Sequence, residues 1–160
     1  LVAAEQQERL REDTGCREAL ATVTLSVDPD LGVCPHLITE EECEHLISLA
    51  EGCWQPSMDL SYAEFEKTGK VEYSLSDSRT SWTCKLRAAQ THVVDRVERK
   101  LASFAGMPVA HLERLNMVRY APGEFFNVHQ DGGRFRPKTV FLYLNDLPAG
   151  DDGGDTYFPE

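Results

Sequence analysis

MVRYAPGEFFNVHQDGGRFRPKTVFLYL, residues 117–144, carries His129-Gln130-Asp131 at its centre. Side chains alternate faces along a β-strand, so residues two apart point the same way. An imidazole nitrogen and a carboxylate oxygen then converge on one point. That pairing is two-thirds of the two-histidine, one-carboxylate set that holds non-haem Fe(II) and leaves coordination positions open. A bare His-x-Asp is more often a pair of solvated surface residues, so the flanking sequence has to decide.

Working outward, Pro122-Gly123 supplies a fixed φ followed by a positive one, and predicts a hairpin between residues 115–120 and 124–129. Gly132-Gly133 breaks the strand after the pair, as expected where a ligand approaches backbone. Residues 139–144 (TVFLYL) are a β-branched and aromatic run suited to a buried strand. Gly153-Gly154-Asp155-Thr156-Tyr157-Phe158-Pro159 predicts a turn followed by a short strand.

Three ordered motifs now stand at sensible spacing: RYAPGEFFNVHQD, then R-x-x-T-x-x-x-YLN, then GG-x-T-x-FP. Together they resemble the core of the prolyl 4-hydroxylase family, closely over residues 112–159 and more loosely over 32–106. The resemblance implies an α+β fold: a double-stranded β-helix (jelly-roll, cupin-like) core, apparently truncated here, with N-terminal supporting helices. It also implies an oxidoreductase, an Fe(II)- and 2-oxoglutarate-dependent dioxygenase that hydroxylates a peptidyl residue, proline foremost, with ascorbate as a further requirement. His129 and Asp131 are the implied iron ligands. Tyr143 is the implied hydrogen-bond donor to the distal carboxylate of 2-oxoglutarate, and Thr139, four residues earlier on the same strand face, lines that pocket. Tyr120 is expected near iron and substrate. Each tyrosine is otherwise a core aromatic with a satisfied hydroxyl. Thr156 belongs to the next matching strand.

Two parts of the family pattern are missing. No histidine follows Asp131, and Arg134, Arg136 and Lys138 lie too close to the first motif to serve as the cation that pairs with 2-oxoglutarate. Three readings stay open: an excerpt of a longer polypeptide, a histidine donated by a partner chain, or a catalytically inactive peptide-binding module on the same fold. The excerpt is the leading expectation, because the chain opens on Leu1 and closes on Glu160 just after a strand motif.

The 160 residues suit one domain rather than two, and 41% apolar with 27% charged residues is an ordinary globular composition. A polar N-terminal extension over residues 1–20 precedes a dioxygenase domain over 21–160, incomplete at its C-terminus. The net charge of −11 argues against nucleic acid, which needs a basic footprint, and suits a basic peptide substrate or simple solubility. No run reaches the ~18 apolar residues of a membrane span, and no targeting signal opens the chain. An endoplasmic-reticulum or secretory location is expected from the family alone. The five cysteines lack a C-x-x-C spacing, which makes a zinc knuckle improbable; disulfides and free thiols both remain open.

The supporting elements are legible too. Residues 21–27 read as a strand. Thr39-Glu40-Glu41-Glu42 is a capping box, followed by Cys43, Leu46, Ile47 and Ala50 on one helical face, with Gly52 closing the helix. Residues 54–57 begin a strand, after which 58–77 lose all periodicity; the resemblance implies a flexible loop that closes over the peptide in about this place, and an ordinary disordered insertion is the equal alternative. Residues 78–83 (SRTSWT) resume a strand, with Arg79 facing either substrate or a neighbouring carboxylate. Residues 88–105 predict a second helix with Val93, Val94, Val97, Leu101 and Phe104 on one stripe. His36, His45, His92 and His111 read as structural or solvated.

Overall fold

The computed structural model describes residues 22–28, 30–60, 67–70, 73–75, 78–131, 136–147, 150 and 153–159. The expected polar extension over 1–20, the Gly132-Gly133 break and Arg134 lie outside the described residues.

Among the described residues, two long helices pack with a small antiparallel sheet. Helix α1 (Glu40–Ala50) starts where the sequence predicts it: Glu42 N–H donates to Thr39 Oγ1 (3.3 Å), and Thr39 N–H donates to Glu42 Oε2 (2.9 Å). Both halves of the box are formed, so two of the amides orphaned at the helix start have partners. Leu46 and Ala50 are fully buried and Leu49 packs beside them.

Helix α2 (His92–Ala105) begins four residues later than the stripe predicts. The Thr91 hydroxyl accepts from Val94 N–H at 3.2 Å and sets the start there. Gly106, at φ 65, closes it in the left-handed conformation that glycine adopts without strain. Val94, Val97 and Leu101 are buried as expected, and Glu98 joins them because its carboxylate accepts from Ala89 N–H (3.0 Å).

The helices meet through charge as well as apolar surface. Glu42, only 2% exposed, receives Arg96 Nε on Oε1 and Lys100 Nζ on Oε2, both at 2.7 Å. His45 Nε2 lies 2.9 Å from the Thr91 hydroxyl, a second tie between the helices. Of the two readings for His45, structural or solvated, the structural one is observed.

Among the described residues, short strands form three antiparallel sheets: β1 (Val23–Val27) with β2 (Asp30–Val33), β4 (Met58–Leu60) with β5 (Tyr73–Leu75), and the central order β3 (Gln55–Pro56), β6 (Trp82–Lys85), β7 (Asn116–Arg119). Cys84 and Met117 face each other across β6 and β7, and both enter the core with Leu86, Leu46, Val94 and Val97. Fully burying one such aliphatic side chain stabilises the fold by about 1.5–3 kcal/mol.

Three strand predictions are corrected. The two arms around Pro122-Gly123 do not pair with each other. Both run against one continuous segment, with Trp82 opposite Arg119 and Arg79 opposite Phe126. The Pro-Gly turn, with Glu124 N–H on Ala121 O at 2.9 Å and Gly123 at φ 83, loops out the surplus residues. It is an excursion within one strand direction, not a hairpin. Residues 58–77 are also not structureless at their ends, because Met58–Leu60 pairs with Tyr73–Leu75. Finally, residues 139–144 form no ladder among the described residues, although Val140, Leu142 and Leu144 pack on the core while Phe141 and Tyr143 are exposed. The in-out alternation survives without the ladder. The described residues are a mixed α/β arrangement of antiparallel sheets with few helices.

Candidate metal and co-substrate site

The site grows from the edge of the central segment. Thr80 N–H donates to Phe125 O (3.0 Å) and Asn127 N–H to Ser78 O (2.8 Å), which pins residues 125–127 against 78–80. Pairing stops there and the chain bends at Val128. His129 and Asp131 therefore sit on a bent, unpaired stretch rather than on the regular strand that their spacing predicts.

They still converge. His129 Nε2 stands 3.2 Å from Asp131 Oδ1, with the side chains 40% and 48% exposed. The other ring nitrogen, Nδ1, is 2.8 Å from Asn127 O. A carbonyl only accepts, so this bond puts a proton on Nδ1, and in the neutral ring the Nε2 lone pair is then on the side of the carboxylate. In the neutral ring two acceptors then face each other, an arrangement that a cation fills, whereas a doubly protonated ring would donate to Asp131 itself. Donors about 2.1 Å from one metal at a right angle stand roughly 3 Å apart, so the observed separation fits adjacent metal ligands. Imidazole with carboxylate is also the donor set of non-haem iron. No third His, Cys, Asp or Glu joins them among the described residues.

The imidazole is held on its flat side as well. The Phe126 ring stacks on it, with centroids 3.7 Å apart and planes 18° from parallel. Arg79 lies over the same phenyl ring at 5.1 Å, pairs with Asp59 (2.8 Å) and donates from Nη2 to Met58 O (2.5 Å). Of the two predicted roles for Arg79, the neighbouring carboxylate is the one observed. The Phe126 contact was not predicted, because residues three apart point to opposite faces of a regular strand. Only the bend at Val128 brings the rings together.

The proposed co-substrate residues form a second pair. Tyr143 OH meets Thr156 Oγ1 at 2.5 Å, joining the YLN and GG-x-T-x-FP motifs. Tyr143 is 67% exposed, and Thr139 is exposed as well. Tyr120, at 46%, is partly open rather than a buried core aromatic. Nearby cations are engaged elsewhere: Lys138 Nζ donates to Ala105 O at the end of α2 (2.8 Å), and Arg136 grips Glu113 with two bonds of 2.6 and 2.9 Å.

Cys34, Cys43, Cys53 and Cys84 are free thiols, and Cys16 lies outside the described residues. Burial, followed by the neighbouring Cys53, pushes the Cys84 thiol above its ordinary pKa. No helix among the described residues is long and apolar enough to cross a membrane.

Fold and site together define an α+β domain that presents an open imidazole–carboxylate pair beside a small antiparallel sheet. The chain is 38% identical over 144 residues to prolyl 4-hydroxylase 5 of Arabidopsis thaliana, which covers 84% of this chain and 46% of that protein. It is 39% identical over 122 residues to probable prolyl 4-hydroxylase 11 (76% and 41%), and 32% identical over 161 residues to probable prolyl 4-hydroxylase 10 (95% and 52%), both of the same plant. The chain spans about half the length of these curated relatives, and over that shared half it belongs to the prolyl 4-hydroxylase family. No protein-family model matches it. No solved structure matches it either.

Proposed function

We propose that the protein is an Fe(II)- and 2-oxoglutarate-dependent dioxygenase domain, built on a double-stranded β-helix core, that hydroxylates peptidyl proline. Family membership supports the class, and the observation that carries the site is the 3.2 Å convergence of His129 Nε2 and Asp131 Oδ1. Bound iron, with 2-oxoglutarate and molecular oxygen, supplies the oxidising power, and ascorbate is the expected accompanying reductant.

The chain's own residues have separable tasks in this reading. His129 donates the Nε2 lone pair while Asn127 O holds the proton on Nδ1. Asp131 contributes its charge. Tyr143, whose hydroxyl meets that of Thr156, offers it to the distal carboxylate of 2-oxoglutarate, with Thr139 exposed on the same segment. Tyr120, part-exposed, is assigned to the substrate side. A second histidine and a Lys or Arg must come from outside the described residues.

The test is peptide hydroxylation by the native protein, read by mass spectrometry as the gain of one oxygen on a proline-containing peptide. Activity should require 2-oxoglutarate and vanish in His129→Ala and Asp131→Ala. Wild-type turnover in either variant contradicts the proposal.

A second reading has one observation behind it: among the described residues no third His, Cys, Asp or Glu joins His129 and Asp131. A peptide-binding module that kept the groove without the chemistry would bind the same peptide with unchanged affinity after chelation. Loss of peptide turnover on chelation decides for the enzyme.

A further inference from the structure

We infer that Phe126 is a positioning residue for His129, holding the imidazole plane and, with the Asn127 carbonyl, presenting Nε2 rather than Nδ1 to a divalent metal. The inference rests on the dioxygenase reading only for the identity of that metal.

Two constraints from adjacent residues meet on one exposed ring, and one of them is braced from a distant segment. The Asn127 carbonyl, 2.8 Å away, fixes which nitrogen carries the proton. The Phe126 face, 3.7 Å between centroids and 18° from parallel, opposes rotation about the last side-chain torsion. That torsion is otherwise broad, because a bond from an sp³ to an sp² carbon has no sharp wells. Phe126 is itself fixed: its backbone is bridged to Arg79, and both neighbours, Phe125 and Asn127, hydrogen-bond to residues 78–80. The Arg79 guanidinium lies over the ring and is tethered to Asp59 and the Met58 carbonyl. Thus β4 and the segment before β6 brace a side chain that a bent loop would otherwise leave free.

Such bracing matters because His129 is 40% exposed on a stretch without ladder bonds. Groups that orient a ligating histidine typically change metal affinity 10–100-fold when lost. Phe126→Leu keeps an apolar side chain of similar bulk and removes the flat face. Phe126→Tyr restores the face.

The experiment uses the native protein labelled with ¹⁵N in its histidine rings. Ring-nitrogen NMR spectra report the His129 tautomer, and titration with Co(II) under anaerobic conditions reports affinity. Wild type and Phe126→Tyr should share a dominant Nδ1–H tautomer, while Phe126→Leu shifts population to Nε2–H and binds Co(II) about tenfold more weakly. Backbone amide spectra of α1 and α2 check that each variant is folded. A wild-type tautomer in Phe126→Leu overturns the positioning role, and so does a Phe126→Tyr as impaired as Phe126→Leu. If wild type binds no Co(II), the metal reading fails, and the tautomer measurement still decides on Phe126.

Discussion

Glu42 of α1 and Lys100 of α2 are joined by a 2.7 Å ion pair, on a carboxylate that also caps its own helix and receives Arg96. One buried side chain therefore closes the helix start and locks the helix pair behind the sheet. Glu42→Ala should lower unfolding free energy by about 1–3 kcal/mol, the cost of losing hydrogen bonds to a charged group. Arg96 is exposed enough to regain water, which keeps the loss below that of a fully buried pair. Urea denaturation of wild type and variant measures it.

The same carboxylate gives stability a pH dependence. Burial, the largest single influence, raises the Glu42 pKa, but the hydrogen bonds from Lys100, the Thr39 amide and Arg96 outweigh it, so the folded value lies below the ordinary one. A depressed carboxylate pKa contributes stability that is fully present above the unfolded value, about 4.3, and is lost as pH falls through the folded value. The stability difference between wild type and Glu42→Gln should therefore be constant from pH 7 to about 5 and shrink below about 4. An unchanged difference at pH 3 would show that the charge is not the stabilising feature.

Thiol chemistry should separate Cys53 from Cys84. Cys53 is exposed, whereas Cys84 is 6% exposed, with its thiol pKa pushed up by burial and by Cys53. Thiolate is the reactive form. Maleimide labelling followed by peptide mass spectrometry should modify Cys53 first and reach Cys84 only on unfolding.

Tyr143 and Thr156 should act on the co-substrate rather than on the metal. Removing the Tyr143 hydroxyl as Phe should raise the 2-oxoglutarate Kd about tenfold, one hydrogen bond to a charged group, and leave Co(II) affinity unchanged. Thr156→Val should move it in the same direction by less, because it touches the co-substrate side through Tyr143 OH. Isothermal titration with each ligand separates the two effects.

Local signals carried much of this structure. The capping box at Thr39 and Glu42, the left-handed Gly106 and the buried Val94, Val97 and Leu101 all follow from rules that act within a turn or two. His129 and Asp131 were legible from chemistry and spacing, and they do converge. The Pro122-Gly123 turn was legible as a turn, but its consequence was not: a turn names no partner, and both flanks found the 78–85 segment. The Phe126–His129 stack was hidden for a related reason, since strand parity separates residues three apart and the bend at Val128 carries no sequence signature. Arg79 pairing with Asp59 depends on the β4–β5 pairing, which crosses a stretch without periodicity.

The most direct test of the central claim is an anaerobic Co(II) titration of the native protein and of His129→Ala and Asp131→Ala, followed by isothermal calorimetry. The wild type should bind one ion per chain, with affinity falling at least tenfold when either ligand is removed. Wild-type affinity in both variants would place the metal elsewhere and contradict the claim.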